Sequence, residues 1–365
     1  MSDLPNISLV TILHDWSEFF PLFNYHWETL DYPKDKLEWI IVDDSKTDYS
    51  HYLPIDDNIL YFKVSSDEYL EKIEFPKDND KIIWNYFKKM KILPDGFKRD
   101  YAVGMTSHDY IFHMDYDTIY RPNSIKRKLN FLKNSRLECV YCKKMLCYDI
   151  YGKTLYKTEN KVAGYESTLF HTKEFWKKGG FKWEDVRSEA VSFYYNKGLD
   201  RQMDNYYDTI KLLSIHNLNK YHVAKVTLEN MDIKIPEIVG TLKVDNHPLK
   251  YQINDLFTEE KIDLLGINSE IMDIIKKDTW ETINISYDKK EKEKKLIQQI
   301  NAIDKTFDLC FLNVKFPIWN IFDKIMFKCI IVENEKNMEQ MMSILQKKDY
   351  YQFNNIYIHK DYLLS

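Results

Sequence analysis

A chain of 365 residues that is 44% hydrophobic, 15% aromatic and 30% charged is globular rather than disordered, and at about 100 to 200 residues per domain it predicts two domains. Its 52 basic and 57 acidic residues leave a net charge of -5, with the basic residues scattered instead of striped, which argues against nucleic acid as a partner. No segment approaches the ~20 apolar residues that span a bilayer, and the start, MSDLPNISLVTILHDW, lacks a basic region followed by a long apolar core; no transmembrane segment and a cytoplasmic location are expected. The five cysteines make no disulfide framework. Cys139 and Cys142 have CxxC spacing, but no second pair or nearby His completes a ligand set, so buried structural thiols are expected.

In chain order, Ile7 to Leu13 (ISLVTIL) is an apolar, β-branched run that predicts a strand, and Phe19 to Leu30 carries apolar residues at helical spacing. Leu37 to Val42 (LEWIIV) predicts a second strand, ending in Asp43-Asp44-Ser45, and Ile59 to Val64 (ILYFKV) a third. A helical stretch from Phe97 to Thr106 leads to Tyr110 to Met114 (YIFHM), a strand that runs directly into Asp115-Tyr116-Asp117. From Cys139 to Thr172 the pattern is extended and broken, and Lys173 to Lys178 predicts a short helix closed by Gly179-Gly180. Strands alternating with helices predict an α/β fold with a mostly parallel sheet, in which ligands bind beyond the carboxyl ends of the strands.

Lys234 to Leu256, with Pro236, Gly240 and Pro248, reads as an irregular connection. Beyond it, apolar runs at Thr282 to Ile285, Leu309 to Val314, Cys329 to Val332 and Ile356 to Ile358 alternate with helical stretches from Glu291 to Ile303 and Glu335 to Lys347. A smaller α/β domain is expected there. The division is 1–235 for the principal domain, 236–265 for the connection and 266–365 for the accessory domain.

Two acidic clusters therefore stand at strand exits. In an extended segment residues i and i+2 point the same way, so Asp115 and Asp117 can converge on one ligand. Hard oxygen donors of this kind suit Mg²⁺ or Mn²⁺, and a divalent cation so held can bind a diphosphate and stabilise its departure. The spacing alone is cheap, since Asp78-Asn79-Asp80 repeats it in a polar stretch; what distinguishes Asp115 and Asp117 is the apolar strand that delivers them.

Four segments in order, IIVDDSKTD (Ile40 to Asp48), the basic stretch Lys98-Arg99-Asp100-Tyr101-Ala102-Val103, YIFHMDYDTIYRP (Tyr110 to Pro122) and FHTKEFWKKGGF (Phe170 to Phe181), resemble the inverting family 2 of nucleotide-sugar glycosyltransferases with the GT-A fold. The resemblance covers roughly the first 220 residues. It implies transfer of a sugar from a nucleotide diphosphate donor, usually a UDP-sugar, to a hydroxyl of a glycan or other acceptor, with inversion. It further implies that Asp44 accepts from the donor base, that Asp117 binds Mn²⁺ or Mg²⁺ with Asp115 assisting, and that Ile12, Asp43, Lys98, Arg99 and Tyr116 contact the donor. Lys98 and Arg99 read equally well as a solvated helix face.

Inversion needs a base to take the acceptor hydroxyl's proton. The family pattern places that acid after GGF, at Glu189, with Asp185 and Glu184 as alternatives. Some transferases of this fold complete the metal shell with a later His, for which His216 is suitably placed, although a lone His is more often structural. The chain departs from the family at Ile12-Leu13-His14-Asp15 (usually Pro-Thr-Tyr-Asn), at Asp100 (usually Asn), at Thr118, which ends the acidic cluster, and at Ala190, where a second acid is usual.

The C-terminal segment resembles the closing half of FkbM-type methyltransferases in FDLCFLNVKF and CIIVENE, without a glycine-rich cofactor loop. It is read as an accessory domain for acceptor binding, homodimerisation or packing. Two rival functions remain open at this stage: a nucleotidyltransferase, which also uses paired carboxylates and a cation but wants a glycine-rich basic loop near the first strand, and a degenerate transferase that binds carbohydrate without turnover.

Overall fold

A computed structural model describes residues 4–14, 17–72, 81–150, 153–159, 164–183, 189–194, 200–202, 209–213, 223–226 and 235–242, and, further on, 262–267, 269, 281–285, 298–299, 302, 307–312, 326–332, 345, 347–353 and 356–359. The chain forms two compact units, one of Met1–Glu74 with Lys91–Asn246, the other of Phe75–Met90 with His247–Ser365.

The first unit opens with β1 (Ile7–Leu13), α1 (Pro21–Thr29), β2 (Leu37–Asp43), β3 (Ile59–Lys63) and α2 (Ser66–Leu70). Next comes α3 (Lys81–Met90), which belongs to the second unit. The first unit resumes with α4 (Asp95–Met105), β4 (Tyr110–His113), β5 (Thr118–Tyr120), α5 (Ser124–Ser135), β6 (Cys139–Tyr141), β7 (Lys144–Asp149) and β8 (Thr154–Glu159). It closes with β9 (Phe170–Thr172), α6 (Lys173–Lys177), α7 (Glu189–Tyr194), β10 (Asp200–Gln202), β11 (Thr209–Leu213) and β12 (Val223–Val226).

Its larger sheet has the order β10-β6-β9-β4-β1-β2-β3 and is parallel except for β9, which runs antiparallel to β4 and β6. Every residue of β1 and β2 is buried, which is why both read as continuous apolar runs instead of alternating ones. Ile7, Leu9, Leu13, Trp39 and Ile41 join Phe23 and Trp27 of α1 and Ile125, Leu129 and Leu132 of α5 in one core. Helix α4 packs against β1 and β2. A smaller sheet, β12-β8-β7-β11-β5, places β11 parallel to β7 and antiparallel to β5, with Lys211 opposite Thr118.

The second unit carries β13 (Asp263–Ile267), β14 (Glu281–Ile285), β15 (Leu309–Leu312), β16 (Cys329–Val332), β17 (Tyr350–Phe353) and β18 (Ile356–His359). Its sheet order is β14-β13-β15-β16-β18-β17, parallel from β14 to β16 and closed by an antiparallel hairpin. Leu265, Ile267, Cys310, Leu312, Ile330 and Tyr357 form its core. The chain is thus α/β with mostly parallel sheets, as its alternating pattern predicts. The helical stretches expected at Glu291 to Ile303 and Glu335 to Lys347 lie largely outside the described residues. All five cysteines are free and buried, and among the described residues no helix is long and apolar enough to cross a membrane.

Candidate active site

Strands β1, β2 and β4 run parallel, so their carboxyl ends open on the same edge. There the first unit has a cavity of about 260 Å³. Its walls are the end of β1 (Ile12, Leu13, His14), Ile92, the α4 residues Asp95, Lys98 and Arg99, the Asp115-Tyr116-Asp117 turn, and Lys211 of β11. Of the residues singled out by sequence, the fold brings together Ile12, Lys98, Arg99, Asp115, Tyr116 and Asp117; Asp43 and Asp44 do not line the cavity, although Asp44 touches Lys98 and His14, which do. Glu189 begins α7, and Asp185, Glu184, His216 and the Asp78 to Asp80 motif lie outside the described residues.

Asp115 and Asp117 share one cation. Lys211 Nζ lies 3.6 Å from Asp115 Oδ2 and forms a closer ion pair with Asp117 Oδ1. Asp115 Oδ1 also accepts from Arg99 Nη2 at 3.0 Å, so two carboxylates face two cations. Burial alone would raise the Asp115 carboxyl, but Arg99 and Lys211 outweigh it and hold its pKa below the usual range. Asp117 is pushed upward instead, by burial first and then by the charge on Asp115, against the pull of Lys211. The strand register explains the contact, because Lys211 pairs with Thr118 and Leu212 N donates to Asp117 O at 2.8 Å. Neither Lys211 nor this quartet was foreseen from the sequence, although a lone Lys inside the apolar strand TIKLL was a visible signal.

Arg99 is fixed from behind by a chain of imidazoles. Its Nη1 lies 3.3 Å from His113 Nδ1, His113 Nε2 lies 3.0 Å from His171 Nε2, and His171 Nδ1 lies 2.9 Å from Thr172 O. A guanidinium only donates, so His113 Nδ1 accepts, His113 Nε2–H donates to His171, and His171 Nδ1–H donates to the carbonyl. That assignment leaves both rings neutral. Burial, and after it the facing His171 and Arg99, lower the His113 pKa well below that of a free imidazole. Sequence reading left His113 unassigned and saw His171 only as part of the FHTKEFWKKGGF segment.

Lys98 and Arg99 are not a solvated face; both are buried, on the side of α4 turned to the strand ends. Lys98 Nζ lies 3.3 Å from Asp44 Oδ1 and 3.1 Å from Asp95 Oδ1. Burial works against the Lys98 ammonium, yet these two carboxylates raise its pKa on balance. Asp44 also meets His14 Nδ1 at 3.0 Å and accepts from Leu93 N at 2.6 Å. Burial raises the Asp44 carboxyl, but Lys98 and His14 prevail, and its pKa falls to about 2. Asp43 is consumed by its own loop: Oδ1 accepts from Ser45 N at 2.7 Å and from Ser45 Oγ, and Oδ2 from Tyr61 OH. Both oxygens of Asp44 and both of Asp43 thus hold protein groups, and of the side chains paired to Asp44 both His14 and Lys98 line the cavity.

The GGF segment is held by Asp100 of α4. Asp100 Oδ1 accepts from Trp176 Nε1 at 2.6 Å and Phe181 N at 2.9 Å, and Oδ2 from Trp183 Nε1 at 2.8 Å. A carboxylate supplies acceptors on both oxygens, which an Asn at this position could not do. Gly180 has φ +59, and a Cβ there would stand 2.5 Å from Asp100 Oδ1. The segment from Trp176 to Trp183 is therefore anchored to the helix that carries Lys98 and Arg99.

The donor set suits a hard divalent cation. Two carboxylates, 15% and 18% exposed, stand at the cavity wall and already converge on a positive charge, the Lys211 ammonium. Among the described residues no third His, Cys, Asp or Glu joins them.

No family model matches the chain, and no curated protein matches it in sequence. Among solved structures it is similar to Staphylococcus aureus TarS at TM-score 0.38 and 13% identity, over 59% of this chain and 38% of that one. It is also similar to TarS 1–349 in complex with UDP-GlcNAc (TM-score 0.39, 12% identity, 69% and 73% covered). A third similar structure is the mannosyltransferase PcManGT from Pyrobaculum calidifontis in complex with GDP-Man and Mn²⁺ (TM-score 0.39, 12% identity, 70% and 75% covered). The chain spans well under half the length of the full TarS chain.

Proposed function

We propose that the first unit is a glycosyltransferase that moves a sugar from a nucleotide diphosphate donor, a UDP-sugar in the first instance, to an acceptor hydroxyl with inversion. The observation that carries this reading is the convergence of Asp115, Asp117, Arg99, Lys98 and Lys211 on one cavity at the carboxyl ends of a parallel sheet. Charges of both signs packed at a sheet edge are what a diphosphate and its counter-cation need.

In this mechanism Asp117 and Asp115 would hold a divalent cation, which would supply positive charge against that developing on the departing diphosphate. Arg99 keeps Asp115 ionised and oriented, and the His113–His171 chain keeps Arg99 in place. Lys98 and Asp44 fix the wall on which the nucleoside rests, with His14 as the polar group turned to it. Glu189, at the start of α7, is the proposed base, taking the acceptor proton as the oxygen attacks opposite the leaving group. The second unit is proposed as an accessory domain for acceptor binding, dimerisation or packing.

The test is a thermal-shift panel of UDP-, GDP-, CMP- and dTDP-sugars, each with Mn²⁺ or with chelator, on the wild type and on Asp117→Ala. The expected result is stabilisation by a UDP-sugar that requires Mn²⁺ and disappears in the variant. A wild type stabilised by no nucleotide sugar refutes the reading; stabilisation that survives in Asp117→Ala refutes the role of Asp117.

A further inference from the structure

From the quartet Asp115, Asp117, Arg99 and Lys211 we infer that Lys211 is an exchangeable counter-ion: it occupies the carboxylate pair when the site is empty, and turns to the donor diphosphate when a divalent cation takes its place. The diphosphate half of this inference rests on the function proposed above; the exchange at the carboxylates does not.

Asp115 and Asp117 carry two negative charges, and Arg99 and Lys211 two positive ones, so the resting quartet is neutral. Asp95, on the same wall, adds an acid already paired to Lys98. A neutral quartet offers little attraction to a diphosphate. One divalent cation added to the quartet leaves a net charge of +2, opposite to and balancing the two negative charges of the donor's diphosphate. Lys211 holds Asp117 Oδ1 and faces Asp115 Oδ2, so a cation that draws on this pair of oxygens has to displace it. Arg99 sits on the other oxygen of Asp115 and can remain.

Geometry decides which of the two cations moves. Arg99 is buried on α4 and tied to His113 as well as Asp115. Lys211 has a side chain 19% exposed at the cavity wall, on a flexible four-carbon stem. Its backbone is locked, with β5 on one side and β7 on the other, so the stem is what turns. Once displaced, its ammonium stays within reach of the same cavity, where a diphosphate bound to the cation would lie.

The two halves predict opposite effects of one substitution. Mn²⁺ binding without nucleotide is read by electron paramagnetic resonance of the free ion, and UDP binding at saturating Mn²⁺ by calorimetry. In Lys211→Met, which keeps the length of the stem, Mn²⁺ alone is expected to bind about tenfold tighter than in the wild type, and UDP about tenfold weaker. Lys211→Arg keeps a cation and should show no gain in Mn²⁺ affinity, and Lys211→Met with Asp117→Asn should lose the gain. A Mn²⁺ affinity unchanged in Lys211→Met, with near-ultraviolet circular dichroism showing a native fold, overturns the exchange. A gain in Mn²⁺ affinity with UDP binding unchanged overturns the diphosphate contact. A wild type that binds no nucleotide while Lys211→Met still gains Mn²⁺ refutes the transferase reading and upholds the exchange.

Discussion

Burial turns ionisable side chains into fixed parts, and His26 shows the cost. It is buried in α1, with Nε2–H donating to Thr118 O at 2.9 Å and Nδ1 without a hydrogen-bond partner among the described residues. Burial, partly offset by that hydrogen bond, lowers its pKa to about 4. Above pH 6.5 the ring is neutral in both folded and unfolded chains and costs nothing. As the pH falls below 6.5 the unfolded chain takes up a proton that the folded one refuses, and the penalty grows until about pH 4, reaching about 3 kcal/mol. Stability by urea denaturation should therefore decline over this window, and the decline should be shallower in His26→Gln, which keeps a donor and does not titrate. Equal slopes for the two proteins would remove His26 as the cause. Asp44 acts lower on the scale: its depressed pKa contributes stability that is complete above about pH 4 and lost as the pH falls towards 2.

Among the elements, those that carry the site were the most legible. The apolar runs ISLVTIL, LEWIIV and YIFHM became β1, β2 and β4 because strands buried on both faces leave an unbroken apolar signature. Helix α5 was missed because its inner face, Ile125, Leu129 and Leu132, is interrupted by Lys128, whose ammonium lies 5.1 Å from the Phe112 ring centre. The acidic turn was legible from its position, but its cation was not, because Lys211 arrives through strand pairing from far along the chain. Asp100, a departure from the family pattern, has a local reason in the three donors it accepts. The GGF anchor gives a test: Gly180→Ala pays for a left-handed φ and a clash with Asp100, and should lower stability by about 1–3 kcal/mol. Asp100→Asn should cost about 1–2 kcal/mol, since one of the three donors loses its acceptor. Denaturation midpoints equal to the wild type in both variants would dismiss the anchor.

At the scale of the molecule, the described residues of each unit form hydrophobic clusters of their own, on the two sheets of the first unit and the one sheet of the second. Unfolding is then expected to depart from a single two-state transition, with a calorimetric enthalpy larger than the van't Hoff value. A UDP-sugar with Mn²⁺ should raise the part of the transition that belongs to the first unit; one sharp transition with equal enthalpies would argue against separate cores. The alternation of strands and helices revealed two α/β units, but no local pattern marks α3 as a member of the second, because that membership is set by packing partners remote in the chain.

That membership has a bearing on synthesis. Helix α3 leaves the ribosome with the first unit, whereas the rest of its own unit begins at His247, roughly 150 residues later. At about 5–20 residues per second the helix waits on the order of 10 to 30 s for its partners. Throughout that interval the sequence KIIWNYFKKM presents Ile82, Ile83, Trp84 and Phe87 as a segment that can be captured by a chaperone or by another nascent chain. The order of translation thus leaves this helix dependent on assistance for longer than the elements of the first unit that flank it in the chain.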